Sequence, residues 1–155
     1  MSTFTFFAEG SPKPQPRPRA FARKMGNGKF MARVYEAGTA EAWKSDIATA
    51  ARRYYPQRTP ITGPVMLEIE FVMPRPKSHF RSGKRSYELR DDAPRWHSQK
   101  PDCDNLAKAV MDALTQLGGF WIDDSQACVV RISKRYTVNK PGAYIDITPA
   151  IPVIT

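Results

Sequence analysis

The densest chemistry in this chain lies in one short stretch, "KPDCDNLAKAVMDALTQLGGFWIDDSQ", residues 100 to 126. It holds five of the fifteen acids of a chain whose formal net charge is +9, and after Lys100 only Lys108 offsets them. Asp102 and Asp104 are separated by one residue, so in an extended chain both point to the same side. A helix begins at or near them, and either aspartate can serve as its N-cap. Lys108 follows Asp104 by one helical turn, and Asp112 follows Lys108 by another. Asp123 and Asp124 follow the apolar triplet Phe120-Trp121-Ile122. A strand beside the helix would carry Asp123 or Asp124 close to Asp102 and Asp104.

Three carboxylates brought together repel one another and resist ionisation unless a cation sits among them. A hard divalent cation resolves that conflict. Mg²⁺ prefers oxygen ligands and keeps several waters, whereas zinc would want the cysteine and histidine spacing that this chain lacks. Carboxylates holding Mg²⁺ beside a basic surface suit hydrolysis of a phosphodiester, with Lys108 contacting the phosphate or positioning the attacking water. Asp112, a further turn away, reads as a structural residue. The plainer interpretation stays open at this point: an aspartate that only caps a helix, an Asp104–Lys108 helix pair, and an Asp-Asp turn.

The elements that must position these residues follow from periodicity. Leu106, Val110, Ala113, Leu114 and Leu117 make one apolar stripe, predicting a helix over 103–117 that Gly118-Gly119 ends. The Asp104–Lys108–Asp112 row lies on the face away from that stripe. A second helix is predicted over 39–54 from Trp43, Ile47, Ala51 and Tyr54, ended by Pro56 and Pro60. Residues 3–9, 64–73, 120–122, 127–138 and 143–148 read as strands. The last two look like antiparallel partners across the turn Lys140-Pro141-Gly142. Asn27-Gly28 marks a hairpin within 25–35.

Two basic regions interrupt this pattern. Prolines keep residues 10–24 out of helices and central strands, leaving an extended or looped basic segment. Residues 75–100 carry eight Lys or Arg against three acids and read as a long loop, with Phe80, Tyr87 and Trp96 interleaved. Trp96 is expected to pack the loop down, and His79 to be solvated. At 155 residues, with 41% apolar and 25% charged content, one folded domain over 1–155 is expected, with an α/β (α+β) mixed sheet flanked by two main helices. The strongly basic balance points to a polyanion such as nucleic acid. No run of apolar residues is long enough for a membrane span, and the N-terminus lacks a secretory signal pattern. Two cysteines, Cys103 and Cys128, are too few for a disulfide framework, so a reduced, cytoplasmic setting is expected.

The motif "KPDCDNLAKAVMDAL" followed by "WIDDSQ" resembles the RusA family of Holliday junction resolvases, endodeoxyribonucleases of bacteria and their phages. The Pro/Arg-rich "PKPQPRPR" and the basic loop ending in "WHSQKPD" fit the same family more weakly. The resemblance implies a Mg²⁺-dependent, intertwined homodimer, with Mn²⁺ as a substitute, that nicks four-way DNA junctions and needs no small-molecule cofactor. It implies catalytic roles for Asp102, Asp104, Lys108 and Asp123, and metal ligation by Asp102, Asp104 and one of the Asp123-Asp124 pair. Two equivalent sites in a two-fold dimer match a junction that needs two opposed nicks. Arg17, Arg19, Arg23 and Lys24 in the first basic segment, and Lys77, Arg81, Lys84 and Arg85 in the second, would hold flanking phosphates. A related metal nuclease acting on other branched nucleic acids, and a non-catalytic DNA-binding protein, are the competing readings.

Overall fold

The computed structural model describes residues 3–16, 18–36, 40–54 and 59–151, with 18–23 and 30–36 described as backbone. A four-stranded mixed sheet is built from β1 (Phe4–Glu9), β4 (Val65–Pro74), β5 (Ala127–Thr137) and β6 (Gly142–Pro149), in the order β1-β6-β4-β5. β6 runs antiparallel to both β1 and β4, and β5 runs parallel to β4. Two helices, α1 (Glu41–Ala51) and α2 (Cys103–Leu117), pack against each other, α1 also against β1 and α2 also against β5. A separate hairpin pairs β2 (Pro18–Lys24) with β3 (Phe30–Glu36). Its turn is held by the side chain of Asn27, which accepts from the Lys29 N–H at 3.0 Å.

Alternation decides which face of the sheet is buried. Phe4, Phe6 and Ala8 of β1, Ile145 and Ile147 of β6, and Val65, Leu67, Ile69 and Phe71 of β4 enter one core with Trp43 and Ile47 of α1 and Leu106, Val110 and Leu114 of α2. The register stacks like on like: Phe4 and Leu67 both face Ile147, and Phe6 and Ile69 both face Ile145. The opposite face carries charge. Glu68 meets Arg131 at 3.1 Å and Glu70 meets Arg135 at 2.9 Å across the parallel pair. Gly142 sits where a Cβ would lie 2.1 Å from the Ala8 carbonyl, so a larger residue would push β6 away from β1.

Several expectations are corrected. The extended reading of the first basic segment is sharpened rather than overturned: residues 18–24 pair as one strand of a two-stranded ladder, with Pro18 at the first position, where its missing N–H costs nothing. β5 and β6 are not partners: β6 crosses β4 to lie beside β1. A turn signal says that the chain reverses, not which strand it rejoins. The triplet Phe120-Trp121-Ile122 is no strand but a single parallel bridge between Trp121 and Ile61. Phe120 and Trp121 are buried, whereas Ile122 is 73% exposed.

The 75–100 loop is irregular yet pinned. The Arg95 carbonyl accepts from the Tyr136 N–H at 2.9 Å, and the Lys134 carbonyl from the His97 N–H at 3.2 Å, so the loop's end runs along β5. His79 is not simply solvated: its ring meets Tyr136 edge-on at 4.7 Å, and Arg75 lies over the same Tyr136 ring at 5.3 Å. Trp96 is 56% exposed rather than packed down, with the Arg95 guanidinium 5.3 Å from its ring centre.

Candidate active site

Helix α2 starts at Cys103 because Asp102 is the last extended residue, at φ −70° and ψ 150°. The Asp102 carbonyl accepts the Leu106 N–H at 3.1 Å, the first bond of the helix. Its side chain makes no capping hydrogen bond. An aspartate at this position ordinarily accepts from one of the first free helix N–H groups. Here the carboxylate is left available while the helix end still offers it a favourable field. Asp102, Asp104 and Lys108 are all exposed, on the side that the apolar stripe leaves open.

Asp112 is committed elsewhere. It accepts from the ammonium of Lys44 at 2.5 Å and from the Gln116 amide at 3.2 Å. Lys44 is 8% exposed, so this ion pair ties α1 to α2 inside the fold. The structural role read for Asp112 matches this pairing.

The approach to Asp102 is clamped from two sides. Lys134 of β5 donates its ammonium protons to the carbonyls of Gln99 and Pro101, the latter at 2.7 Å. The Gln15 N–H of the proline-rich segment donates to the Asn105 carbonyl at 3.1 Å. His97, 9% exposed, packs its ring against Tyr136 at 4.8 Å in a tilted arrangement, and its Nδ1 has no hydrogen-bond partner among the described residues. Burial, and then the charge of Lys134, push the His97 pKa below its ordinary 6.5.

The second pair of acids sits on a turn built by Gln126. Asp123 caps the short 3₁₀ turn 124–126 that leads into β5, accepting from the Ser125 N–H at 3.0 Å. The Ser125 side chain and N–H hold the Asp123 pKa below its ordinary 3.8. Gln126 completes the capping box, its Oε1 accepting from the N–H groups of Ile122 at 2.7 Å and Asp123 at 3.1 Å. Its Nε2 donates to the carbonyls of Ile61 at 2.7 Å and Gly63 at 2.9 Å. Every hydrogen-bonding position of that amide is used. Trp121 anchors the preceding residues by donating from Nε1 to the Thr115 hydroxyl of α2 at 2.9 Å.

Among the described residues, no three of His, Cys, Asp and Glu are grouped as a metal ion would require. Asp102 with Asp104, and Asp123 with Asp124, stand as two pairs on neighbouring elements, α2 and the turn that touches it. The anticipated strand beside the helix is absent. Gln126 fastens the turn to the 61–63 segment, and that segment sets where Asp123 and Asp124 lie. The donor types are those a hard cation prefers, exposed carboxylate oxygens with Asp102 uncommitted to the helix, but the described residues do not bring three of them together. Both cysteines are free thiols.

The basic residues fall into groups. Arg17 lies outside the described residues, as do the side chains of Arg19 and Arg23, while Lys24 is exposed. In the second region Lys77 and Lys84 are exposed, and neither forms an ion pair with a described residue. Arg81 pairs with Asp91 at 2.8 Å, and Arg85 with Glu88 at 2.8 Å, so part of this loop's charge is spent within it. Gln126, Lys134 and Lys44 are the residues that sequence reasoning missed. Gln126 alone had a local signal, the capping-box spacing from Asp123. The partners of the two lysines are remote in the chain.

Residues 9–148 match the family model described as Endodeoxyribonuclease RusA. The uncharacterized protein YqaN of Bacillus subtilis (strain 168) is 35% identical over 137 residues, which is 88% of this chain and 90% of that protein.

Proposed function

The chain belongs to the RusA endodeoxyribonuclease family, and from that premise we propose that it is a Mg²⁺-dependent homodimeric nuclease that resolves four-way DNA junctions by paired nicks. The observation that carries this reading is the carboxylate of Asp102, which stands at a helix start without capping it. A residue kept only for helix stability would be spent on that bond.

Asp102 and Asp104 are the proposed ligands, with Asp123 or Asp124 as the third carboxylate. A Mg²⁺ ion held there would lower the pKa of a bound water and offset charge on the scissile phosphate. Lys108, one turn beyond Asp104, faces the same solvent side and would bind a phosphate oxygen as a compact positive charge. Lys134 and Gln15 keep the backbone around Asp102 from shifting. Such positioning matters because an error of about 1 Å in a reacting group can cost ~10²-fold in rate. Lys24, Lys77 and Lys84 would hold phosphates away from the cut and set the register of the DNA.

The test is incubation with end-labelled four-way junction, fork and linear duplex, each with and without Mg²⁺. Paired, symmetric nicks in the junction alone, only with Mg²⁺, are expected. Asp104→Asn should abolish nicking and leave junction binding intact. Equal nicking of linear duplex would remove junction resolution, and nicking without any divalent ion would remove the metal assignment.

A further inference from the structure

A cleft of about 390 Å³ opens beside the start of α2. Its walls are Pro12, Pro14, Met73, Pro74 and Pro101. Lys13 and Lys100 stand at its rim; both are exposed and neither is ion-paired to a described residue. Pro101 immediately precedes Asp102, so the cleft adjoins the proposed ligands.

We propose that this cleft seats one unpaired nucleobase of the strand being cut, with Lys13 and Lys100 on the phosphates that flank it. The inference rests on the proposed reading of the site as a nuclease centre and adds to it a branch-sensing subsite. Three features support a base. First, proline rings present flat apolar faces and no N–H groups, so they accept an aromatic plane without leaving buried donors unpaired. Second, an apolar floor bordered by cations matches the chemistry of a single strand, whose bases are apolar in face and whose phosphates are anionic. Third, the walls are preformed. Lys134 fixes the backbone at Gln99 and Pro101, and the Gln15–Asn105 bond holds the proline-rich wall against α2. A volume near 390 Å³ lies at the small end of ligand clefts and is enough for a base.

The consequence is selectivity for structure. A base inside a duplex must be unstacked and unpaired before it can enter. A base at a branch point has already lost part of that stabilisation, so it enters at lower cost. The cleft offers few polar atoms to read a base edge, so it would favour unpaired over paired positions more than one base over another.

The test uses the full chain and four-way junctions carrying 2-aminopurine singly at each position around the branch point. Fluorescence is read without divalent ion, then Mg²⁺ is added and nicking is scored. A several-fold rise is expected at one position next to the cut site. Ser11→Leu, at an exposed residue lining the cleft, and Pro74→Glu, at an exposed wall residue, should abolish that rise. Each should also lower the preference for junction over duplex roughly tenfold, the size of one lost base contact. If wild-type protein nicks junctions with Mg²⁺ but no position brightens, the base seat is wrong and the nuclease reading stands. If the variants keep the full rise, the base lies elsewhere. If wild-type protein nicks no branched DNA, the nuclease reading fails and takes this proposal with it. Should a variant fail to fold, the wild-type signal decides alone.

Discussion

Asp102 and Asp123 occupy the same local position, the last extended residue before a helical turn, yet the fold treats them differently. Asp123 is engaged by its own turn: Ser125 donates to one carboxylate oxygen, Oδ2, and Gln126 reciprocates. Asp102 makes no such bond, and its helix begins without it. One carboxylate is oriented by its own turn, while the other is oriented by the backbone beneath it, through Lys134 and the Gln15–Asn105 contact. The contrast teaches that a capping motif does not by itself say whether an aspartate is structural. What matters is whether its oxygens are already used.

Alanine substitutions at the two positions would break or sharpen this comparison. Asp102→Ala should lower Mg²⁺-dependent nicking by ~10²–10³-fold, the usual loss for a group acting directly at the reacting centre. It should lower the melting temperature much less than Asp123→Ala does, because only the weak field of the helix end and no capping bond is lost. Asp123→Ala should also lower nicking, and in addition lower the melting temperature. Single-turnover rates and thermal melts on the same samples measure both. A fall in melting temperature for Asp102→Ala as large as that for Asp123→Ala would show that it caps the helix in solution.

Next in size is Gln126→Glu. The new carboxylate cannot donate to the Ile61 and Gly63 carbonyls, and it repels them. A loss of about 1–3 kcal/mol is expected in denaturant unfolding, from leaving those acceptors unsatisfied. Nicking should fall too, since the turn bearing Asp123 and Asp124 is no longer fastened. Wild-type stability in this variant would mean that the 61–63 contact is not what places the turn.

The smallest effect is in pH. The Asp123 pKa is depressed from 3.8 in the folded protein, so its capping contribution is present above that value and lost as pH falls through the lowered one. Wild-type protein and Asp123→Asn should therefore differ in stability near neutrality and converge in strong acid. Parallel stability curves down to the acid limit would remove the Ser125 interaction as the cause.

Much of the architecture was legible because local patterns repeat. The apolar stripe from Leu106 to Leu117 and the two glycines after it set the bounds of α2 at 103 and 117. Alternation through Val65, Leu67, Ile69 and Phe71 marked β4 and its buried face. Strand pairing was not legible. β5 and β6 alternate well enough to be strands, but periodicity carries no information about which neighbour completes a ladder. The 120–122 triplet was misread for a related reason: three apolar residues in a row look like a strand, although only Phe120 and Trp121 are buried by the helix and core around them and Ile122 is exposed.

The sequence by itself determined the acids, their spacing along the helix face, and the family to which the motif belongs. Only the tertiary structure decided which carboxylates are spent and which are free. Lys44 reaches Asp112 across 68 positions of chain, Gln126 reaches Ile61 across 65, and Lys134 reaches Pro101 across 33. The physical reason is that a hydrogen bond is satisfied by whatever donor or acceptor the fold brings within about 3 Å, and proximity of that kind is set by the packing of the whole chain, not by its local order.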